Sequence, residues 1–143
     1  MYEPIRTKSV HTMAGTTCDT SDFPHRSREE ELDIQLAGHL AALLAVTDEL
    51  RALTPSADLD TAAERLAGQV ARLRGGRAPV RMATADALRE PSALHQRAHA
   101  LAGRALVVAA SRADTAAAIL AAERMDAHAT ASAVPQGLSS ATP

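Results

Sequence analysis

Leucine recurs at intervals of three and four residues along three stretches of this chain, and hardly anything bulkier accompanies it. The first stretch holds Leu32, Leu36, Leu40, Leu43, Leu44, Leu50 and Leu53; the second holds Leu59, Ala63, Leu66, Val70 and Leu73. The third runs through Leu94, Leu101, Ala105, Leu106, Val108, Ala109, Ile119 and Leu120. That spacing gathers the apolar side chains on one side of a helix, and it does not fit the two-residue alternation of a half-buried strand. The expected fold class is all-α: an antiparallel helical bundle of three main helices, the C-terminal one very long, with disordered termini.

Local signals set the boundaries. Ser27-Arg28-Glu29-Glu30 has the pattern of a capping box, and Glu29, Glu30, Glu31 and Asp33 complement the positive end of a helix dipole. The first helix is expected to run for about 27 residues, roughly 40 Å. Thr54-Pro55-Ser56 ends it, with Pro55 suited to the first turn of the next helix. The second helix stops at Gly75-Gly76, where left-handed backbone is readily reached. A loop over 75–83 and a short helix over Ala85 to Glu90 follow. No proline lies between Ser92 and about Ala129, so one continuous helix there would span on the order of 55 Å. Gly103 and the Ser111–Asp114 segment are the places where it could bend or break. Residues 1–26 and 130–143 read as flexible tails around a helical domain over 27–129, and Met13 is a second candidate start.

Composition narrows the functions. Alanine supplies 33 of the 143 residues, while Tyr2 and Phe23 are the only aromatic residues. Base stacking and aromatic cation cages need rings and are disfavoured. The net charge of −2 argues against a nucleic-acid partner. Lys8 is the only lysine beside fourteen arginines, a bias that GC-rich coding produces. Cys18 is alone, which excludes an intramolecular disulfide; in a tail beside His25 it makes a poor nucleophile. No apolar run approaches the roughly 20 residues of a membrane span and no secretory signal is visible, so the expected location is cytoplasmic. No cofactor is expected.

Four candidate sites follow from position. A rod of such length cannot be covered by shorter helices, so its surplus face (Ala102, Leu106, Ala109, Ala113, Ala116 and Leu120) is an expected interface to a second copy or another helical protein. High alanine helix propensity alone would give the same composition. The run containing Arg72, Arg74, Arg77 and Arg81 is a candidate patch for an anion or an acidic partner. The alternative is internal pairing of the Arg77–Arg81 loop with Glu31 and Asp33. His95 and His99 share a helix face at metal-site spacing, with His39 as a possible third imidazole; solvent-facing or capping histidines are the plainer reading. An apolar ligand pocket near Leu40, Leu66 and Leu101 is a further possibility.

Leu36-Ala37-Gly38-His39-Leu40 with Leu43-Leu44, and Ala85–Pro91 with Arg97–Arg104, resemble small helical proteins of unassigned activity that accompany natural-product biosynthesis clusters in GC-rich bacteria. The resemblance covers about residues 30–110 and implies an accessory or regulatory role, with no functional residue to carry over. The expected function is that of a non-catalytic regulator or adaptor acting through protein–protein contact, as a homodimer. A small-molecule-binding helical protein is the alternative, and a metal-dependent enzyme using the histidines the third reading.

Overall fold

The computed structural model describes residues 26–81 and 89–133. Among the described residues there are four α-helices and no strand: α1 (Arg28–Leu53), α2 (Ala57–Leu73), α3 (Pro91–Arg112) and α4 (Thr115–Ala133). The all-helical class is as expected; the count of three main helices is not. Of the tails expected over 1–26 and 130–143, residues 1–25, with Cys18 and His25, and 134–143 lie outside the described residues, as does most of the short helix expected over 85–90.

The chain divides after Glu31 into two units. In the first, Ser27 Oγ accepts from the Glu30 amide and Glu30 Oε1 accepts from the Ser27 amide, both at 3.0 Å. The capping box therefore starts α1 as its residue types dictate.

In the second unit, α1 is the buried element. Leu36, Leu40, Leu43, Leu44, Thr47 and Leu50 are wholly shut from water. Between Leu43 and Leu50 burial extends around almost the whole helix, taking in Val46, Asp48 and Glu49. The Thr47 hydroxyl donates to the Leu43 carbonyl at 2.8 Å, which satisfies it within the helix. Two carboxylates in such a place need cations. Asp48 accepts from Arg51 at 3.0 Å and from both Nε and Nη2 of Arg81, at 2.9 and 2.8 Å. Glu49 pairs with Arg89 at 3.3 Å.

The link from α1 to α2 is Thr54-Pro55-Ser56. Ser56 is the N-cap, with extended backbone and its Oγ accepting from the Leu59 amide at 3.1 Å. Pro55 thus precedes the cap and does not enter the first turn. At the other end of α2, Gly75 and Gly76 take φ of +69° and +93°, and the Gly76 amide returns to the Ala71 carbonyl at 2.7 Å. This left-handed closure is what the glycine pair announces.

The expected rod is not continuous. α3 ends at Arg112, Ala113 is left-handed (φ 59°, ψ 35°), and the Asp114 amide closes on the Ala109 carbonyl at 2.9 Å. Asp114 Oδ1 then accepts from the Ala117 amide at 3.2 Å, capping α4 as Asp does well. The two helices turn back on each other: the contacts of His95 with His128 and of His99 and Gly103 with Met125 are antiparallel. Ala98, Ala102, Ala105 and Ala109 of α3 and Ala117 and Ala121 of α4 are buried in one core cluster with the leucines. Small side chains allow close helix approach, and here the chain uses them on itself. α4 continues to Ala133, where a tail was expected from residue 130.

Two predictions follow. Ala113→Gly relieves the left-handed strain and should stabilise the protein by about 0.5–1 kcal/mol in urea unfolding. In an uninterrupted helix the same substitution would destabilise by a similar amount. Arg81→Gln leaves the buried Asp48 carboxylate short of two charged donors and should cost about 1–3 kcal/mol, read in the same experiment.

Candidate functional site

The α3–α4 hairpin carries the two features that set this surface apart: an apolar face at its turn, and a polar cluster near its open end. The six residues expected to make one long interface do not form one. Ala102, Ala109 and Leu120 are buried by the chain itself, and Leu106 is half-buried. Ala113 is the turn residue, and Ala116 is exposed. What does reach the surface is Val107 and Ile119, 66% and 51% exposed. A shallow groove of about 280 Å³ runs beside the turn, lined by Ala109, Ala110, Ala113, Ala118, Ile119 and Ala122 among others. A second depression of about 460 Å³, bounded by Arg65, Gly68, Gln69, Ala116 and Leu120, shares Ile119 with the first. The exposed pair Arg65–Glu123, at 2.8 Å, stands at its edge.

The arginine run is dispersed. Arg72 donates to Gln69 and to Asp114, the latter at 2.7 Å, and Arg81 is held by Asp48. Arg74 is half-buried at the end of α2, and Arg77 is exposed. The expected pairing of the Arg77–Arg81 loop with Glu31 and Asp33 is corrected. Asp33 binds Arg112 at 3.0 Å, and Glu31 lies 3.6 Å from Arg26 in its own unit. These carboxylates face other arginines because the loop descends along α1 to Asp48. Leu40, Leu66 and Leu101 are members of the packed core cluster, and the cavities described here lie elsewhere.

The histidines also part company. His99 Nδ1 meets the Met125 carbonyl at 3.0 Å, so it donates there. His95 Nδ1 lies 2.9 Å from Nδ1 of His128, with the ring centroids 5.1 Å apart. His39 is half-buried on α1, and among the described residues no three His, Cys, Asp or Glu side chains are grouped to hold a metal ion. The expected His39, His95 and His99 ligand set is therefore not assembled.

His128 and Arg124 belong to a network that sequence reading did not reach. Arg124 is only 4% exposed, and its Nη1 donates to both oxygens of Asp58, at 3.2 and 3.1 Å. Its Nη2 lies 3.4 Å from His128 Nε2, a long contact. A guanidinium only donates, so His128 Nε2 accepts and the His128 proton sits on Nδ1. That proton is donated to His95 Nδ1, which leaves His95 protonated on Nε2. The chain of donors runs Arg124 to His128 to His95. In an unbroken helix His95 and His128 would be about 50 Å apart; the turn at Ala113 makes them neighbours. The i, i+4 spacing of Arg124 and His128 was legible as one helix face, but nothing in the sequence pairs either with Asp58.

Electrostatics agrees with the neutral assignment. Burial, followed by the charges of Arg124 and His95, pushes His128 down to about 4. Burial and then Arg124 also lower His95. Depressed folded values mean that the unfolded chain binds protons first as pH falls below the ordinary imidazole range. Stability is then fully present above about pH 6.5 and declines toward about pH 4. From about pH 7.5 to pH 5, His128 alone should cost about 2 kcal/mol in urea unfolding. His128→Met should flatten this pH profile; an unchanged slope would refute the assignment.

The chain matches no family model, and comparison with curated proteins and with solved structures found no match either.

Proposed function

We propose that this protein is a helical adaptor or regulator that works by protein–protein contact rather than catalysis, with a second copy of itself as the partner. The observation that carries the reading is Ile119, a half-exposed apolar side chain standing between two depressions, one of them walled by alanines. A branched side chain inserted into an alanine groove of 280 Å³ gives the knob-and-hollow fit of packed helices. A two-fold mate would offer the same knob to the same hollow, so each copy satisfies the other. The Arg65–Glu123 pair, satisfied within the chain, forms a polar edge beside this apolar face. The accessory role implied by the resemblance to natural-product cluster proteins is of the same kind.

This face is shorter than the rod-long interface expected from the sequence, because the hairpin folded at Ala113 buries Ala102, Ala109 and Leu120 within the chain. The resulting dimer is therefore expected to be concentration-dependent rather than obligate. Sedimentation equilibrium over a wide loading range should show a reversible monomer–dimer transition, with Ile119→Asp remaining monomeric throughout. A wild-type chain that is monomeric at every concentration would overturn the proposal.

A further inference from the structure

Below the α1–α2 link lies a cavity of about 370 Å³, distinct from the contact face at the hairpin turn. Its walls combine two kinds of surface. Pro55, Leu59, Ala127 and Ala131 make an apolar side, and Thr54, Ser56, His95, Arg124 and His128, with the Asp58 carboxylate among them, make a polar one. The polar side is rich in donors. Arg124 can only donate, and its Nε is buried with no hydrogen-bond partner among the described residues. The donor chain through His128 leaves His95 with its proton on Nε2, as derived above. Ser56 accepts the Leu59 amide through its Oγ, so its hydroxyl proton has a direction left to donate. α2 begins at Ala57, and the positive end of its dipole lies at the same wall.

We propose that this cavity binds a small aliphatic carboxylate, with the carboxylate on the Arg124 guanidinium and the hydrocarbon tail against Leu59 and the alanines of α4. The charge follows from the donors. The buried Arg124 guanidinium already holds one carboxylate through Nη1, so an anion suits that position, and a planar carboxylate matches its fork. The monoanion follows from Asp58. That side chain is 67% exposed yet already caps Arg124 through Nη1, so a second full charge would be opposed by it. A carboxylate of the same size and charge can replace Asp58, which then swings into water. The tail follows from the apolar wall, which a bare inorganic anion would leave uncovered. Asp58 thus acts as an internal stand-in for the ligand and sets the affinity that an incoming carboxylate must exceed.

The test is an NMR titration of the full-length protein with butyrate, inorganic phosphate and neutral butyramide as probes. Butyrate should shift the amide resonances of Ser56, His95 and Arg124 saturably, and butyramide should bind at least about tenfold more weakly. Asp58→Asn removes the competing carboxylate and should tighten butyrate binding several-fold. A merely structural Arg124–Asp58 pair predicts no such gain. Arg124→Gln should abolish the response; if that variant does not fold, the Asp58→Asn comparison decides by itself. Three results would overturn the proposal: no saturable shift with butyrate in either the wild type or Asp58→Asn, an equal response to butyramide, or stronger binding of phosphate than of butyrate.

Discussion

Almost every side chain of α1 between Leu43 and Leu50 is removed from water, and the rest of the molecule is arranged around meeting that demand. A helix buried on one stripe needs one neighbour; a helix buried around its girth needs cover on several sides. This chain has one Phe and no Trp with which to fill space. Cover has to come from the number of helical faces rather than from the bulk of single residues. Breaking the C-terminal segment at Ala113 yields two helices of 22 and 19 residues, and both contribute to the same core cluster. One straight rod of the same composition would leave much of its alanine face in water.

The same burial explains where the ion pairs stand. Asp48 and Glu49 are adjacent in sequence, so a helix points them in different directions: Asp48 meets Arg51 and Arg81, and Glu49 meets Arg89. Arg81 and Arg89 come from either side of residues 82–88 and grip neighbouring positions on α1. Their partners are buried carboxylates rather than exposed ones, which sets these pairs apart from Arg26–Glu31 or Arg65–Glu123 at the surface. Surface pairs contribute little, whereas a buried carboxylate deprived of its cation is costly. The described ends of the connection on either side of residues 82–88 are therefore held to α1 by charge.

Legibility varied with the range of the interaction involved. The Ser27 capping box and the glycine closure of α2 follow from residues within one turn of each other, and the sequence announces both. The break at Ser111–Asp114 was visible as a weak point: Asp114 is a good N-cap, while alanines on both sides favour continued helix. The polar cluster was not visible. Asp58, His95 and His128 come from three helices, and the distance between the two histidines depends wholly on whether Ala113 is helical or left-handed. His95 and His99, by contrast, invited a metal reading through their spacing, and tertiary partners sent them to different tasks.

Sequence by itself determined that this protein is helical, where α1 begins and ends and where α2 stops, and that leucine and alanine build the interior. These are consequences of periodicity, capping and turn chemistry, which act over a few residues. Only the tertiary structure decided that the last segment folds back, which of its alanines face inward, and that Arg124 comes to lie buried between Asp58 and His128. The physical reason is that a left-handed alanine costs only about 1–2 kcal/mol, a local penalty that burial of two helical faces outweighs.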